Sequence, residues 1–140
     1  MDHLQDRTGE DARTAGPERG PLSRFRRSVG FAWQGLRHAW ETQPNLRLQA
    51  GLAVLACSAA VMLDAGPVAV VLSWGFVMAM ELLNTAVETV VDLVSPARHP
   101  LAGLAKDLAA GAVLIAAVCA AAVNALLLVP ALWRLLMAGP

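Results

Sequence analysis

Glu81, Asn84, Glu88 and Asp92 lie in the run Glu81-Leu-Leu-Asn84-Thr85-Ala-Val-Glu88-Thr-Val-Val-Asp92, whose other residues are mostly apolar. At a helical pitch of about 100° per residue, the last three fall within roughly 60° of Glu81 and form one polar stripe. A carboxylate at the centre of a membrane helix costs about 2.5 to 3.5 kcal/mol on insertion scales, so each is a functional-site candidate. Arg98, His99, Lys106 and Asp107 follow close behind in the chain. A metal ion held by Glu88, a lysine able to neutralise phosphate and a deeper carboxylate within reach of an alcohol together suit phosphoryl transfer. That reaction needs positioning, charge neutralisation and a base for the incoming hydroxyl. The same stripe would also serve an ion or proton path, or lock helices together. No Walker-type G-x-x-x-x-G-K-S/T loop or kinase-type Gly-rich loop is present, which excludes the known soluble nucleotide folds. Periodicity alone leaves the three readings open.

The elements that must position this stripe are those of a small membrane protein. Of 140 residues, 56% are hydrophobic and 16% charged, and tyrosine is absent. The formal charge is zero, yet eight of the eleven basic residues are arginines at or before Arg47. Cys57 and Cys119 lie in apolar runs without metal-ligand spacing, so they are expected as small hydrophobes in a packed membrane interior with no disulfide. Residues 1–22 mix charge with Gly, Thr and Pro and lack an apolar core, which predicts a disordered cytoplasmic tail rather than a secretory signal. From Ser23, the expected N-cap, apolar side chains recur at Phe25, Val29, Trp33, Leu36 and Trp40, with Arg24, Arg26, Arg27 and Arg37 largely on the other side. This predicts an amphipathic interfacial helix over 23–41, lying in the headgroup plane. Pro44 ends it, and three apolar spans follow at about 46–63, 68–94 and 103–129. They are separated by Asp64-Ala-Gly66-Pro67 and by Ser95-Pro96-Ala-Arg98-His99-Pro100. The fold class is therefore an all-α membrane protein, with residues 23–140 as one membrane-integral domain.

Basic residues gather before the first span and again at Arg98 and Lys106, while the first hairpin has none. The positive-inside rule then puts the N-terminus and the second loop in the cytoplasm and the C-terminus outside. A span of about 20 residues from Pro67 ends near Val87. Glu88 and Asp92 are thus expected at the cytoplasmic interface, with Glu81 roughly 10 Å deeper.

The stripe, followed by His99-Pro-Leu-Ala-x-x-Ala-Lys106-Asp107-x-Ala-Ala-Gly-Ala-Val, resembles the signature of the bacterial membrane-integral lipid kinases, the diacylglycerol kinase and undecaprenol kinase family. Gly30-Phe31-x-Trp33-x-Gly35-Leu36-Arg37-x-x-Trp40 and Arg47 resemble that family's surface helix and the entry to its first span. The likeness runs from Arg24 to about Val129, some three quarters of the chain. It implies a three-span protomer of the bacterial plasma membrane, assembled as a homotrimer with active sites at subunit interfaces. By resemblance, Glu81 is the general base for the primary alcohol of a membrane lipid that attacks the γ-phosphate of ATP, and Asn84 is its polar neighbour. Glu88 corresponds to a ligand of Mg²⁺ that also meets the nucleotide. Lys106 and Asp107 correspond to nucleotide contacts, with Arg24, Phe31 and His99 on the same side. Arg24, Trp33, Arg47 and Glu81 are the residues expected to meet the lipid, and Asp92 is expected either in a supporting role or as a residue that caps the cytoplasmic end of its helix or pairs with a basic side chain. ATP and the lipid alcohol are the expected partners besides the other subunits, and no nucleic acid is expected.

The departures from that pattern concern the metal and the acceptor. Gln43 stands where many members carry a second metal-binding glutamate, offering a carbonyl oxygen but no charge, and Glu41 lies two residues earlier. Phe31 replaces a tyrosine, and Ala97 a glutamate, of the diacylglycerol-specific branch. The Asn-Thr-Ala and His-Pro-Leu-Ala forms lean towards the undecaprenol branch. Undecaprenol is therefore the expected acceptor, with diacylglycerol as the alternative, and a weakly active homologue serving as a membrane scaffold is a further possibility raised by Gln43.

Overall fold

The protein was analysed as a computed structural model that describes residues 20–138. Most of the tail expected over residues 1–22 lies outside the described residues. Four helices follow in order: α1 (Pro21–Thr42), α2 (Pro44–Met62), α3 (Pro67–Val94) and α4 (Pro100–Met137). The chain divides into two compact units, one ending at Arg37 and one beginning at His38.

In the first unit α1 begins two residues earlier than its expected cap. Pro21 suits the first helical position, where its missing N–H costs nothing. The carbonyl of Gly20 accepts from the backbone N–H groups of Ser23 and Arg24 at 2.9 and 3.2 Å. Ser23 is consequently inside the first turn, and its hydroxyl donates back to the Gly20 carbonyl at 2.8 Å instead of capping the helix.

In the second unit each helix start is set by a proline. Gln43, extended at φ −108° and ψ 100°, separates α1 from α2, because the residue before Pro44 is pushed out of the helical region. The hairpin between α2 and α3 closes α2 with a Schellman pattern: the Ala65 N–H donates to the Ala60 carbonyl at 2.8 Å, and Asp64 N–H to Val61 at 3.3 Å. Asp64 supplies the required left-handed residue at φ 48°. Gly66, at φ 62°, then turns the chain into Pro67, and a Cβ there would meet the Leu127 methyls at 3.5 Å. At α4, His99 is the N-cap and Pro100 the first residue, so the helix begins ahead of the span start expected at 103. It continues through Pro130 to Met137. A proline removes one backbone bond, and membrane helices tolerate that loss.

The helices α2, α3 and α4 are long and apolar enough to cross a membrane. α3 and α4 share the most extensive interface, α2 packs mainly on α3, and few contacts join α2 to α4. Val77 of α3 sits against Ala116 and Ala120, one turn apart on α4, with Met80 and Ala117 alongside. Small residues at such a seam let backbones approach, and in lipid that close van der Waals packing replaces the hydrophobic drive. Most large apolar side chains, such as Leu83, Val90, Ile115 and Leu126, point outward and are exposed, as a lipid-facing surface requires.

Candidate active site

α3 holds the stripe, and the structure divides it into three hydrogen-bonded pairs. The deepest is Glu81, the one buried charged residue among the described residues, with 4% of its surface exposed. Its partner comes from α2: Gln49 Nε2 donates to Glu81 Oε2 at 3.0 Å. A buried carboxylate needs such a donor, since leaving it bare in a low-dielectric interior would be costly. One turn on, Thr85 Oγ1 donates to the Glu81 backbone carbonyl at 3.0 Å, a local bond that satisfies the hydroxyl inside an apolar helix.

The second pair lies within α3. Asn84 Nδ2 donates to Glu88 Oε1 at 3.1 Å, the i to i+4 spacing that brings side chains onto one face. The acceptor end of that amide, Asn84 Oδ1, is buried and has no partner. Asn84 thus orients Glu88, although it is four residues from one glutamate and three from the other.

The third pair joins α3 to α4. Lys106 Nζ lies 2.6 Å from Asp92 Oδ1, with the lysine side chain 34% and the aspartate 67% exposed. Both line a cavity of about 560 Å³ with Ser95, Arg98, His99 and Gly103 at the α3–α4 loop. His99 caps α4 by accepting from the Leu101 N–H on Nδ1 at 3.2 Å. In the neutral ring the proton is then on Nε2, a donor. A lysine, an arginine and a histidine N–H around one opening suit an anionic, phosphate-sized group.

Among the other residues expected at the site, Asp107 is exposed in the second turn of α4. Gln43 is half-buried and makes no side-chain cap bond to α2, which leaves its amide available. Arg47 is exposed and, with Trp40, edges an apolar groove of about 660 Å³ along Leu48, Gly51, Leu52 and Leu55. Arg24, Phe31 and Trp33 belong to the unit that ends at Arg37, where all three side chains are exposed. No group of three His, Cys, Asp or Glu residues able to hold a metal occurs among the described residues.

Gln49 is the residue that sequence reasoning missed. Its signal was available: a strongly polar side chain inside an apolar span calls for a partner. The pattern could not say that the partner is Glu81, because the two are 32 residues apart on different helices.

A family model described as prokaryotic diacylglycerol kinase matches residues 30–128. Of the expected site residues, Arg24 alone lies outside that stretch. A diacylglycerol kinase of Synechocystis sp. is 46% identical over 114 residues, which is 79% of this chain. The match spans 65% of that relative's length. The Escherichia coli K12 diacylglycerol kinase is 38% identical over 102 residues, covering 71% of this chain and 84% of that protein. An undecaprenol kinase of Bacillus subtilis is 38% identical over 123 residues, covering 81% of this chain and 95% of the relative.

Proposed function

Since the chain belongs to the prokaryotic diacylglycerol kinase family, we propose that it is a lipid kinase that transfers the γ-phosphate of ATP to the primary hydroxyl of a membrane lipid alcohol. The observation that carries this reading is Glu81: a buried carboxylate on an apolar helix, held by a single interhelical hydrogen bond. In the proposed reaction the lipid oxygen attacks the γ-phosphorus, the bond to ADP breaks, and the hydroxyl proton passes to Glu81. A carboxylate within reach of that proton contributes about 10²- to 10⁴-fold as a general base. Lys106, Arg98 and His99 face the cavity at the α3–α4 loop and would hold the nucleotide phosphates, with Asp107 nearby on α4. Phosphate binding requires Lys106 to exchange Asp92 for the nucleotide.

Mg²⁺ fits the donor set. Glu88 offers a carboxylate and Asn84 Oδ1 a buried amide oxygen without a partner, both on α3, while Gln43 is the further ligand that the resemblance to the family assigns. Hard oxygen donors suit Mg²⁺, which is commonly held by one or two carboxylates together with substrate phosphates. When bound, the ion would neutralise charge on the transferring phosphoryl group. Glu88 and Asn84 supply its orientation, and Gln43 makes the site less charged than a pair of glutamates would.

Undecaprenol is the favoured acceptor, on the Asn84-Thr-Ala and His99-Pro-Leu-Ala forms of the motif. Diacylglycerol is the second reading, favoured by the 46% identity to the Synechocystis enzyme. The apolar groove beside Trp40 and Arg47 suits either lipid tail, with Arg47 at the headgroup level. In this reading α1 lies in the headgroup plane of the cytoplasmic face, and Arg24, Phe31 and Trp33 are residues that the resemblance to the family assigns to nucleotide or lipid binding. The C-terminus is outside, and three copies assemble with active sites between subunits. Purified protein in vesicles, given ATP and Mg²⁺ with undecaprenol or diacylglycerol side by side, tests the proposal. The higher kcat/KM is expected for undecaprenol. A higher value for diacylglycerol would reverse the acceptor, and turnover of neither would favour the scaffold reading raised by Gln43.

A further inference from the structure

We propose that Gln49 is the positioning residue of the base: its amide holds Glu81 Oε2 so that Oε1 is the atom that takes the substrate's proton. The inference rests on the lipid-kinase reading above and assigns a task to a residue that reading does not use.

A glutamate side chain has a broad terminal torsion, so its two oxygens exchange places unless something distinguishes them. Here one does. Gln49 Nε2 sits 3.0 Å from Oε2, and it arrives from α2, whose position does not depend on the rotamer of a residue on α3. The amide has one sensible orientation. Turned over, Gln49 Oε1 would face the carboxylate, setting two acceptors against each other. In the orientation present, Gln49 Oε1 is buried with no partner. The amide is therefore not stitched into a wider packing network: its hydrogen bonding serves Glu81 alone. Glu81 Oε2 is occupied by a donor, so an incoming hydroxyl hydrogen finds Oε1 as the open acceptor. Displacing a base by about 1 Å from its productive geometry can cost about 10²-fold in rate.

A purely structural clamp between α2 and α3 would also place these two side chains together, and kinetics separate the two roles. The full-length protein in lipid vesicles is assayed for kcat, for KM of ATP and lipid, and for thermal melting, with Gln49→Leu, Gln49→His and Glu81→Gln beside the unmodified enzyme. Leucine removes the donor, while histidine restores a ring N–H. The expected result is a kcat lowered roughly 10- to 100-fold in Gln49→Leu, with both KM values within about twofold. Gln49→His should recover at least part of the lost kcat at a similar melting temperature. An unchanged kcat in Gln49→Leu, within an active enzyme that Glu81→Gln inactivates, would overturn the positioning role and leave the lipid-kinase reading intact. A loss shared equally by both Gln49 variants and matched by a lowered melting temperature would also overturn it, as a structural clamp. Absence of turnover in the unmodified enzyme, or full turnover in Glu81→Gln, would instead remove the reading on which it rests.

Discussion

Lys106 Nζ and Asp92 Oδ1 lie 2.6 Å apart, tying the last turns of α3 to the second turn of α4 across the loop that carries Arg98 and His99. Both partners are substantially solvated, and exposed pairs of this kind contribute only about 0 to 1 kcal/mol. The lysine is therefore held in place by an interaction weak enough to be exchanged for a phosphate. Asp92→Asn should leave melting nearly unchanged and lower the KM for ATP by up to roughly fivefold, the equivalent of that energy. Lys106→Met should raise it. ATP titrations at saturating lipid read both effects, and a higher KM in Asp92→Asn would show that the pair assists nucleotide binding rather than competing with it.

Asn84 holds Glu88 by one hydrogen bond of 3.1 Å. Residues that orient a metal ligand typically contribute about 10- to 100-fold in metal affinity or activity. Asn84→Ala is expected to raise the Mg²⁺ concentration for half-maximal activity within that range, with a smaller change in the KM for lipid. A Mg²⁺ titration of activity measures it.

Gln43 makes no cap bond, so its replacement leaves the start of α2 intact. Gln43→Glu should lower the Mg²⁺ requirement, because a carboxylate binds a divalent cation more tightly than an amide oxygen does. Turnover that is negligible in the unmodified protein and rescued by Gln43→Glu would mark the chain as a weakened member of its family. Robust turnover without the change would dismiss that idea.

The α3–α4 seam depends on small residues opposite Val77. Ala116 and Ala120 are each nearly fully buried there. Ala116→Leu overpacks a seam of this kind, at a cost of about 1 to 3 kcal/mol. Thermal denaturation in detergent should show a lowered midpoint, and the same substitution at the exposed Ala110 should not.

The helices were legible because apolar runs of membrane length are bounded by Pro44, Gly66-Pro67 and Pro100, whose backbone requirements act locally. Local rules failed where two devices competed. Ser23 reads as a cap, but Gly20-Pro21 starts the helix sooner. The polar stripe was visible from spacing, since Glu81, Asn84, Glu88 and Asp92 share one helix. Its partners were not. Whether Glu81 meets Gln49, and whether Lys106 meets Asp92, depends on how neighbouring helices rotate and slide, which periodicity within one segment does not encode.

The measurement that bears most directly on the central claim is lipid phosphorylation by Glu81→Gln. The substitution keeps the size of the side chain and the capacity to bond Gln49, and removes the carboxylate proposed to accept the proton. Transfer of labelled phosphate from ATP to undecaprenol or diacylglycerol should fall by at least about 10²-fold at unchanged nucleotide binding. Turnover equal to that of the unmodified protein would contradict the assignment of Glu81 as the base.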